Sequence, residues 1–316
     1  MKRFFSAFLF FLISLEAGAN DAVHVAYNID NNYVVYTLLS INSILKNNKS
    51  NSEYMFWILE NGLSEKNKKM MKEYIEQRRQ KVNFLSVDQN ELYKGSLSRI
   101  KKIYEGAEYA HVSYVSFMRL FIPELLPDNV HKVLYLDGDT LVVQDLNELF
   151  QTDLDDFPMG MVKDISSTLK EICWIETYYN AGVILINTDK WKEDRILERA
   201  LSALEERGNM YRRYVEQDLL NCLFYNDIMP LDPKWNNQVF YDLFLTPYDK
   251  TGIFHFIAWE KPWKSLGMAQ GIKPYTEYIE YWNDASELRK YKYRAILNRM
   301  KEGFKIKEWK MLKKLN

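Results

Sequence analysis

The stretch His131–Val143, H-K-V-L-Y-L-D-G-D-T-L-V-V, decides the fold. An apolar run, Val133–Leu136, leads into two carboxylates one residue apart, Asp137 and Asp139, and a second apolar run, Leu141–Val143, follows. Runs of this length, rich in Val and Leu, predict a buried strand. Gly138 is expected to let the backbone turn where the strand ends. The two carboxylates would then leave the sheet at its carboxyl edge, where open α/β sheets bind ligands. Two hard oxygen donors there suit Mn²⁺ or Mg²⁺, which commonly hold substrate phosphates. Aspartates also cap turns, so the pair alone supports either role. The strand in front of it favours the ligand.

Outward from this stretch, strands alternate with helices. Val23–Ile29 predicts a first strand, and Asp30-Asn31-Asn32 a turn. Val34, Leu38, Ile41 and Leu45 recur at helical spacing and predict a helix packed back on the sheet. Met55–Leu59 predicts a second strand and Val82–Val87 a third, with Ser64 capping a helix that carries Met71, Tyr74 and Ile75. Tyr114–Leu126, which contains Arg119, predicts a helix that ends before Pro127. Met159–Val162 is a short strand, followed by Lys163 and Asp164. Tyr178–Asn187 is an apolar strand whose Ala181 and Gly182 admit a close neighbour. Leu197, Ala200, Leu201 and Leu204 mark a helix. Glu216–Phe224 is another, with Glu216, Gln217 and Asp218 in its first turn; acids there also suit the helix dipole, which leaves a structural role open for Glu216 and Asp218. Ile253–Trp263 places His255 in an apolar stretch, where a lone histidine is more often a satisfied core residue than a ligand. The alternation implies an α/β protein with a mainly parallel sheet and right-handed crossovers. No G-x-G-x-x-G follows the first strand and no G-x-x-x-x-G-K-[ST] occurs, which disfavours a dinucleotide dehydrogenase and a P-loop enzyme.

Composition sets the outer limits. The 316 residues suit one large domain, or one domain with an appendage. A net charge of −1 argues against a general nucleic-acid binder. Aromatics reach 15%, which serves stacking on sugars or bases as well as core filling. Cys173 and Cys222 are expected as two buried free thiols. Residues 1–20 resemble a secretory signal: Lys2 and Arg3, then an apolar run from Phe4 to Leu15, then Ala17-Gly18-Ala19. The run is too short to span a bilayer comfortably. A membrane-associating tail and a start codon placed too early are the competing readings. After Leu288 the chain is strongly basic, with Ile296, Phe304, Trp309 and Leu312 interleaved. Such a segment fits an anionic membrane surface or a solvated charged helix. No internal repeat is visible.

Several blocks occur in one order: D-N-N-Y after the first strand, F-M-R-L-F-I-P-E-L-L-P, V-L-Y-L-D-G-D-T-L-V, Y-Y-N-A-G-V-I-L-I-N, E-Q-D-L-L-N and H-F-I-A-W-E-K-P-W. As a set they resemble the retaining glycosyltransferases of family 8, which include bacterial lipopolysaccharide galactosyl- and glucosyltransferases and the glycogenins. The resemblance runs from about Val23 to Trp263. It implies a GT-A catalytic domain over residues 21–264, with 265–316 as a basic aromatic region, and a UDP-sugar donor bound through Mn²⁺. Carried over block by block, Asp30 and Asn32 would hold the uracil end, and Arg119 would reach the donor's sugar or phosphates. Asp137, Asp139 and His255 would bind the metal, and Lys261 the pyrophosphate. Asp164, Asn180 and Ala181 would surround the transferred sugar, with Glu216 and Gln217 beneath its anomeric carbon. Two departures stand out: Ala258 replaces the usual Gly before the K-P-W, and Asp30-Asn31 replaces a pair of aspartates.

The expected activity is a metal-dependent retaining transfer of galactose or glucose from a UDP-sugar to a glycan or glycolipid acceptor, in particular a lipopolysaccharide. Because nucleotide sugars are cytosolic, the expected location is the cytoplasmic face of the inner membrane, with export as the alternative. Two rivals remain. A haloacid dehalogenase-type phosphohydrolase also ends a strand in D-x-D, but it wants a threonine four residues after the first Asp, and Thr140 comes three after Asp137. A non-catalytic sugar-binding protein on a transferase fold is the other.

Overall fold

The structure is a computed structural model that describes residues 22–104, 114–166, 173–207, 211, 214–239, 251–257, 261–263 and 273–288. The signal-like segment, the basic tail and Ala258 lie outside the described residues.

In chain order the elements are β1 (Val23–Ile29), α1 (Val34–Lys46), β2 (Tyr54–Glu60), α2 (Glu65–Glu76), β3 (Lys81–Leu85), α3 (Lys94–Ile103), α4 (Tyr114–Phe117), α5 (Ile122–Leu125), β4 (Lys132–Leu136), β5 (Thr140–Val142) and α6 (Asn147–Phe150). There follow β6 (Met159–Lys163), β7 (Tyr179–Asn187), α7 (Thr188–Glu193), α8 (Ile196–Arg207), α9 (Glu216–Phe224), β8 (Ile228–Pro230), β9 (Asn237–Val239), β10 (Ile253–Phe256) and α10 (Lys273–Asp284). Among the described residues, a seven-stranded sheet has the order β3-β2-β1-β4-β7-β6-β8, and β5-β10-β9 form a second, smaller sheet. Only β7 runs against its neighbours in the large sheet, pairing antiparallel with β4 and β6.

The central strands are apolar at nearly every position because helices cover both faces. Successive side chains of a strand point to opposite faces. Leu134 and Leu136 of β4 therefore join the core built with α1, α2 and α10. Val133 and Tyr135 join the core built with α3, α8 and α9. Ser64 caps α2 as its sequence predicts, its hydroxyl accepting from Asn67 N. Helix α10 is seated on the first core by Tyr275, Tyr278, Tyr281 and Trp282. It is tied to the end of α1 by the Lys46–Asp284 ion pair and an Asn47–Tyr281 hydrogen bond of 2.7 Å.

Three expectations need correction. The helix predicted over 114–126 is broken into α4, a 3₁₀ turn at Met118–Phe121 and α5. Pro123 has no N–H to donate to the carbonyl of Arg119, so the regular ladder stops there; Ile122 N bonds Arg119 O instead. Gly138 has no positive φ. It supplies space: a Cβ there would lie 2.7 Å from Thr37 Oγ1 and 3.1 Å from the Tyr33 ring. Finally, Cys173 and Cys222 are not free thiols but a disulfide that ties the segment before β7 to α9. Their Cα atoms are 5.3 Å apart, within the range a disulfide needs.

Candidate active site

Strand β4 delivers Asp137 and Asp139 to the carboxyl edge of the sheet. Asp137 N donates to Gly182 O at 2.8 Å, and Phe256 N donates to Asp139 O at 3.1 Å, so β7 and β10 pin the turn from both sides. His255 sits opposite Thr140 in the pairing of β10 with β5. Its Nε2 lies 3.6 Å from Asp137 Oδ2 and 3.4 Å from Asp139 Oδ1. The ligand atoms of these three residues all fall within 4.8 Å of one another. His255 is buried, but it is not the satisfied core histidine that its apolar stretch would suggest, because its ring edge faces two carboxylates.

These residues fit a divalent metal. Asp139 Oδ1 is buried and accepts no hydrogen bond. Leaving such an acceptor unpaired costs about 1–3 kcal/mol. Two carboxylate oxygens and one imidazole nitrogen, converging on one point, form a mixed O/N set that a divalent cation satisfies. Lys261 is the counter-charge behind the site: its Nζ donates to Asp139 Oδ2 at 2.6 Å and to Phe256 O. Burial by itself would raise the Asp139 carboxyl, but the Lys261 ammonium holds it well below the usual carboxylate range.

A cleft of about 320 Å³ opens beside the pair, lined by Asn28, Asp30, Tyr33, Arg119, Asp137 and Asp139 among others. Asp30 Oδ1 accepts from Asn32 N and Tyr33 N, and Asn32 Nδ2 donates to Asp30 Oδ2 at 3.1 Å. Asn32 is exposed and braces Asp30 instead of lining the cleft itself. Arg119 closes the inner end. Its Nη2 lies 3.1 Å from Asp137 Oδ1 and 3.2 Å from Glu216 Oε1, and its Nη1 donates to Ala181 O at 2.8 Å. The guanidinium also sits over the Tyr135 ring, whose hydroxyl donates to Asp137 Oδ1. Burial pushes the Glu216 carboxyl up, with Arg119 opposing and Asp137 adding to the rise.

The remaining expected residues form one buried network next to this. Asp164 Oδ2 accepts from Asn180 Nδ2 at 2.9 Å and from Gln217 Nε2 at 3.4 Å. Gln217 Oε1 accepts from Ala181 N at 2.9 Å. Asp218 is structural, accepting from the Tyr178 hydroxyl and from Tyr214 N. Val215, which precedes Glu216, has φ +57°. A β-branched residue rarely tolerates that conformation, and such strain clusters at functional sites. The structure thus gathers the expected site residues around the Asp137–Asp139 turn, with Asn32 exposed and bonded to Asp30. It adds two that sequence reasoning missed. Tyr135 was hidden in an apolar strand. Asn236, which bonds both His255 and Asn180, ends the 3₁₀ turn Pro233–Asn236 in a Trp-Asn-Asn stretch with no distinguishing signal.

The profile of glycosyl transferase family 8 matches residues 24–267. The chain belongs to glycosyl transferase family 8. General stress protein A of Bacillus subtilis is 28% identical over 286 residues, covering 84% of this chain and 96% of that protein. The lipopolysaccharide 1,2-glucosyltransferase of Escherichia coli K12 is 24% identical, covering 84% and 81%. Glycosyltransferase GlyA of Streptococcus pneumoniae is 31% identical over 160 residues, covering 49% of this chain and 22% of that protein. The galactosyltransferase LgtC, solved with donor and acceptor sugar analogues, superposes with a TM-score of 0.65 at 25% identity, covering 81% of this chain and 95% of LgtC. The family 8 enzyme described here accordingly has the GT-A fold of those transferases. Its buried Asp-x-Asp-His group suits a divalent metal and a nucleotide-sugar donor. Among the described residues, no helix is long and apolar enough to cross a membrane.

Proposed function

We propose that this protein is a metal-dependent retaining hexosyltransferase that moves galactose or glucose from a UDP-sugar to a glycan acceptor of the lipopolysaccharide type. The observation that carries this reading is the convergence of Asp137, Asp139 and His255 at the mouth of the cleft, with Asp139 Oδ1 left without a hydrogen bond. Mn²⁺ or Mg²⁺ held there would neutralise the charge developing on the departing diphosphate. Asp30, braced by Asn32, holds the uracil end of the cleft. Lys261 is near enough to the metal ligands to exchange Asp139 for a phosphate oxygen, and its ammonium stabilises the leaving group. Arg119 orients the donor and keeps Asp137 and Glu216 in place. Asp164, Asn180 and the Ala181 backbone wall the sugar. In the reaction the bond from the anomeric carbon to the UDP oxygen breaks, the acceptor oxygen bonds that carbon, and the acceptor's proton leaves with the phosphate or a base. Retention asks for a carboxylate beneath the ring or for displacement on the leaving-group face. Glu216 is the carboxylate in that position, whereas both polar atoms of Gln217 are committed to Ala181 and Asp164. The donor and acceptor classes follow the lipopolysaccharide glucosyltransferase and LgtC among the relatives. A cytosolic donor would put the enzyme at the cytoplasmic face of the inner membrane, whereas the Cys173–Cys222 disulfide favours the oxidising side that export would reach.

UDP release should be measured over a panel of UDP-sugars with Mn²⁺, with and without chelator. We expect chelator-sensitive release from one UDP-hexose. Asp139→Asn should lower it by about a hundredfold or more, since a Lewis acid contributes several kcal/mol at the transition state. No release from any donor, together with no calorimetric UDP binding, would overturn the proposal in favour of a non-catalytic protein.

A further inference from the structure

We infer that Asn236 is a positioning residue: it fixes which nitrogen of His255 carries the proton, and it couples the metal ligand to the wall of the sugar pocket. The inference rests on the metal-dependent reading only for its functional consequence.

Gly182 N is a backbone donor, and it bonds Asn180 Oδ1 at 3.0 Å. That atom of Asn180 must therefore be the oxygen, and the other must be the amide nitrogen, which donates to Asp164 Oδ2 at 2.9 Å. Asn180 Oδ1 also receives Asn236 Nδ2 at 2.9 Å. Asn236 is thus oriented with its amide nitrogen toward Asn180, and its oxygen faces His255 Nδ1 at 3.0 Å. An amide oxygen only accepts, so Nδ1 carries the hydrogen. In the neutral ring the lone pair is then on Nε2, the atom that faces Asp137 and Asp139. The chain from Gly182 N–H through Asn180 and Asn236 leaves no freedom to either amide, and every link is buried.

Metal-binding imidazoles use the hydrogen bond on their second nitrogen to fix tautomer and ring orientation. Here the partner is the Asn236 amide, which bonds Asn180, and Asn180 in turn bonds Asp164. A residue 19 positions from His255 and 56 from Asn180 thereby holds the metal site and the sugar pocket in register.

The test needs no turnover. The chain has four histidines, so ¹⁵N spectra of histidine-labelled, metal-free enzyme at alkaline pH are simple, and the His255 signal is the one missing from His255→Gln. We expect the Nδ1–H tautomer in the unaltered enzyme and a mixture of tautomers in Asn236→Ala. Asn236→Asp keeps an acceptor for Nδ1 but has no donor for Asn180, so it should retain the Nδ1–H form. Mn²⁺ affinity, read by calorimetry on the same proteins, should fall about 10- to 100-fold in Asn236→Ala and be largely preserved in Asn236→Asp. An Nε2–H tautomer in the unaltered enzyme would overturn the inference, as would an unchanged tautomer in Asn236→Ala. Equal loss of affinity in both variants would also overturn it. Should Asn236→Ala not fold, the tautomer in the unaltered enzyme and in Asn236→Asp still decides. An enzyme with the expected tautomer that binds no Mn²⁺ would instead sink the metal-dependent reading while leaving the role of Asn236 in place.

Discussion

Replacing Gly182 by alanine puts the whole metal site at stake with one methyl group. A Cβ at Gly182 would overlap His255 Cε1 and stand 2.6 Å from Nδ1 and 2.8 Å from Nε2. Ordinary contact begins near 3.4 Å, so Nδ1 would have to retreat by about 0.8 Å (3.4 minus 2.6), and Cε1 by more. The ring has little room for this. Strand β10 is clamped between β5 and β9, and His255 Nδ1 is bonded to Asn236. Metal ligands tolerate about 0.2 Å of misplacement. A retreat several times larger removes His255 as a ligand, and the affinity for Mn²⁺ should fall by at least the 10- to 100-fold seen when ligand orientation alone is lost. Overpacking should also cost about 1–3 kcal/mol of stability. Calorimetric titration with Mn²⁺ and a thermal melt on the same sample read both effects. Unaltered Mn²⁺ affinity in Gly182→Ala would refute the argument that this glycine exists to admit the imidazole.

Lys261→Met keeps the length of the side chain and removes its charge; UDP affinity should drop about tenfold or more, in line with about 1.5–3 kcal/mol for a charged hydrogen bond, and an unchanged Kd would remove Lys261 from the phosphate site. Burial raises the Glu216 carboxyl, so ionising it costs the folded state stability once the pH exceeds the unfolded value of about 4.3. Glu216→Gln should therefore melt no lower than the unaltered enzyme at neutral pH, with any gain fading as the pH falls toward that value; a drop of several degrees at neutral pH would show that Arg119 needs the charge more than burial opposes it. The Cys173–Cys222 bond closes a separation of 49 residues, for which the chain-entropy model gives at most about 4 kcal/mol. Cys222→Ser, or reduction, should lower Tm accordingly, and an unchanged melt under reducing conditions would mean that the bond adds no constraint.

The sequence by itself located the main strands and helices and put the two carboxylates at a strand end. Apolar periodicity is local, so β1, α1, β4, β7 and α9 could be located from their own residues, and Asp137 and Asp139 could be placed at a strand end because the run before them was uninterrupted. The cap at Ser64 was visible for the same reason. The break at Pro123 was also written in the chain, though a continuous apolar pattern hid it. What the tertiary structure decided lies in contacts between distant residues. Lys261 meets Asp139 across 122 positions and Arg119 meets Ala181 across 62. His255 looks like a core residue until Asp137 and Asp139 are brought to its edge, and Asn236 looks like a loop residue until it is found between His255 and Asn180. A polar side chain declares its donors and acceptors in the sequence, but which of them remain unpaired, and so free for a ligand, is fixed only when every neighbour is in place.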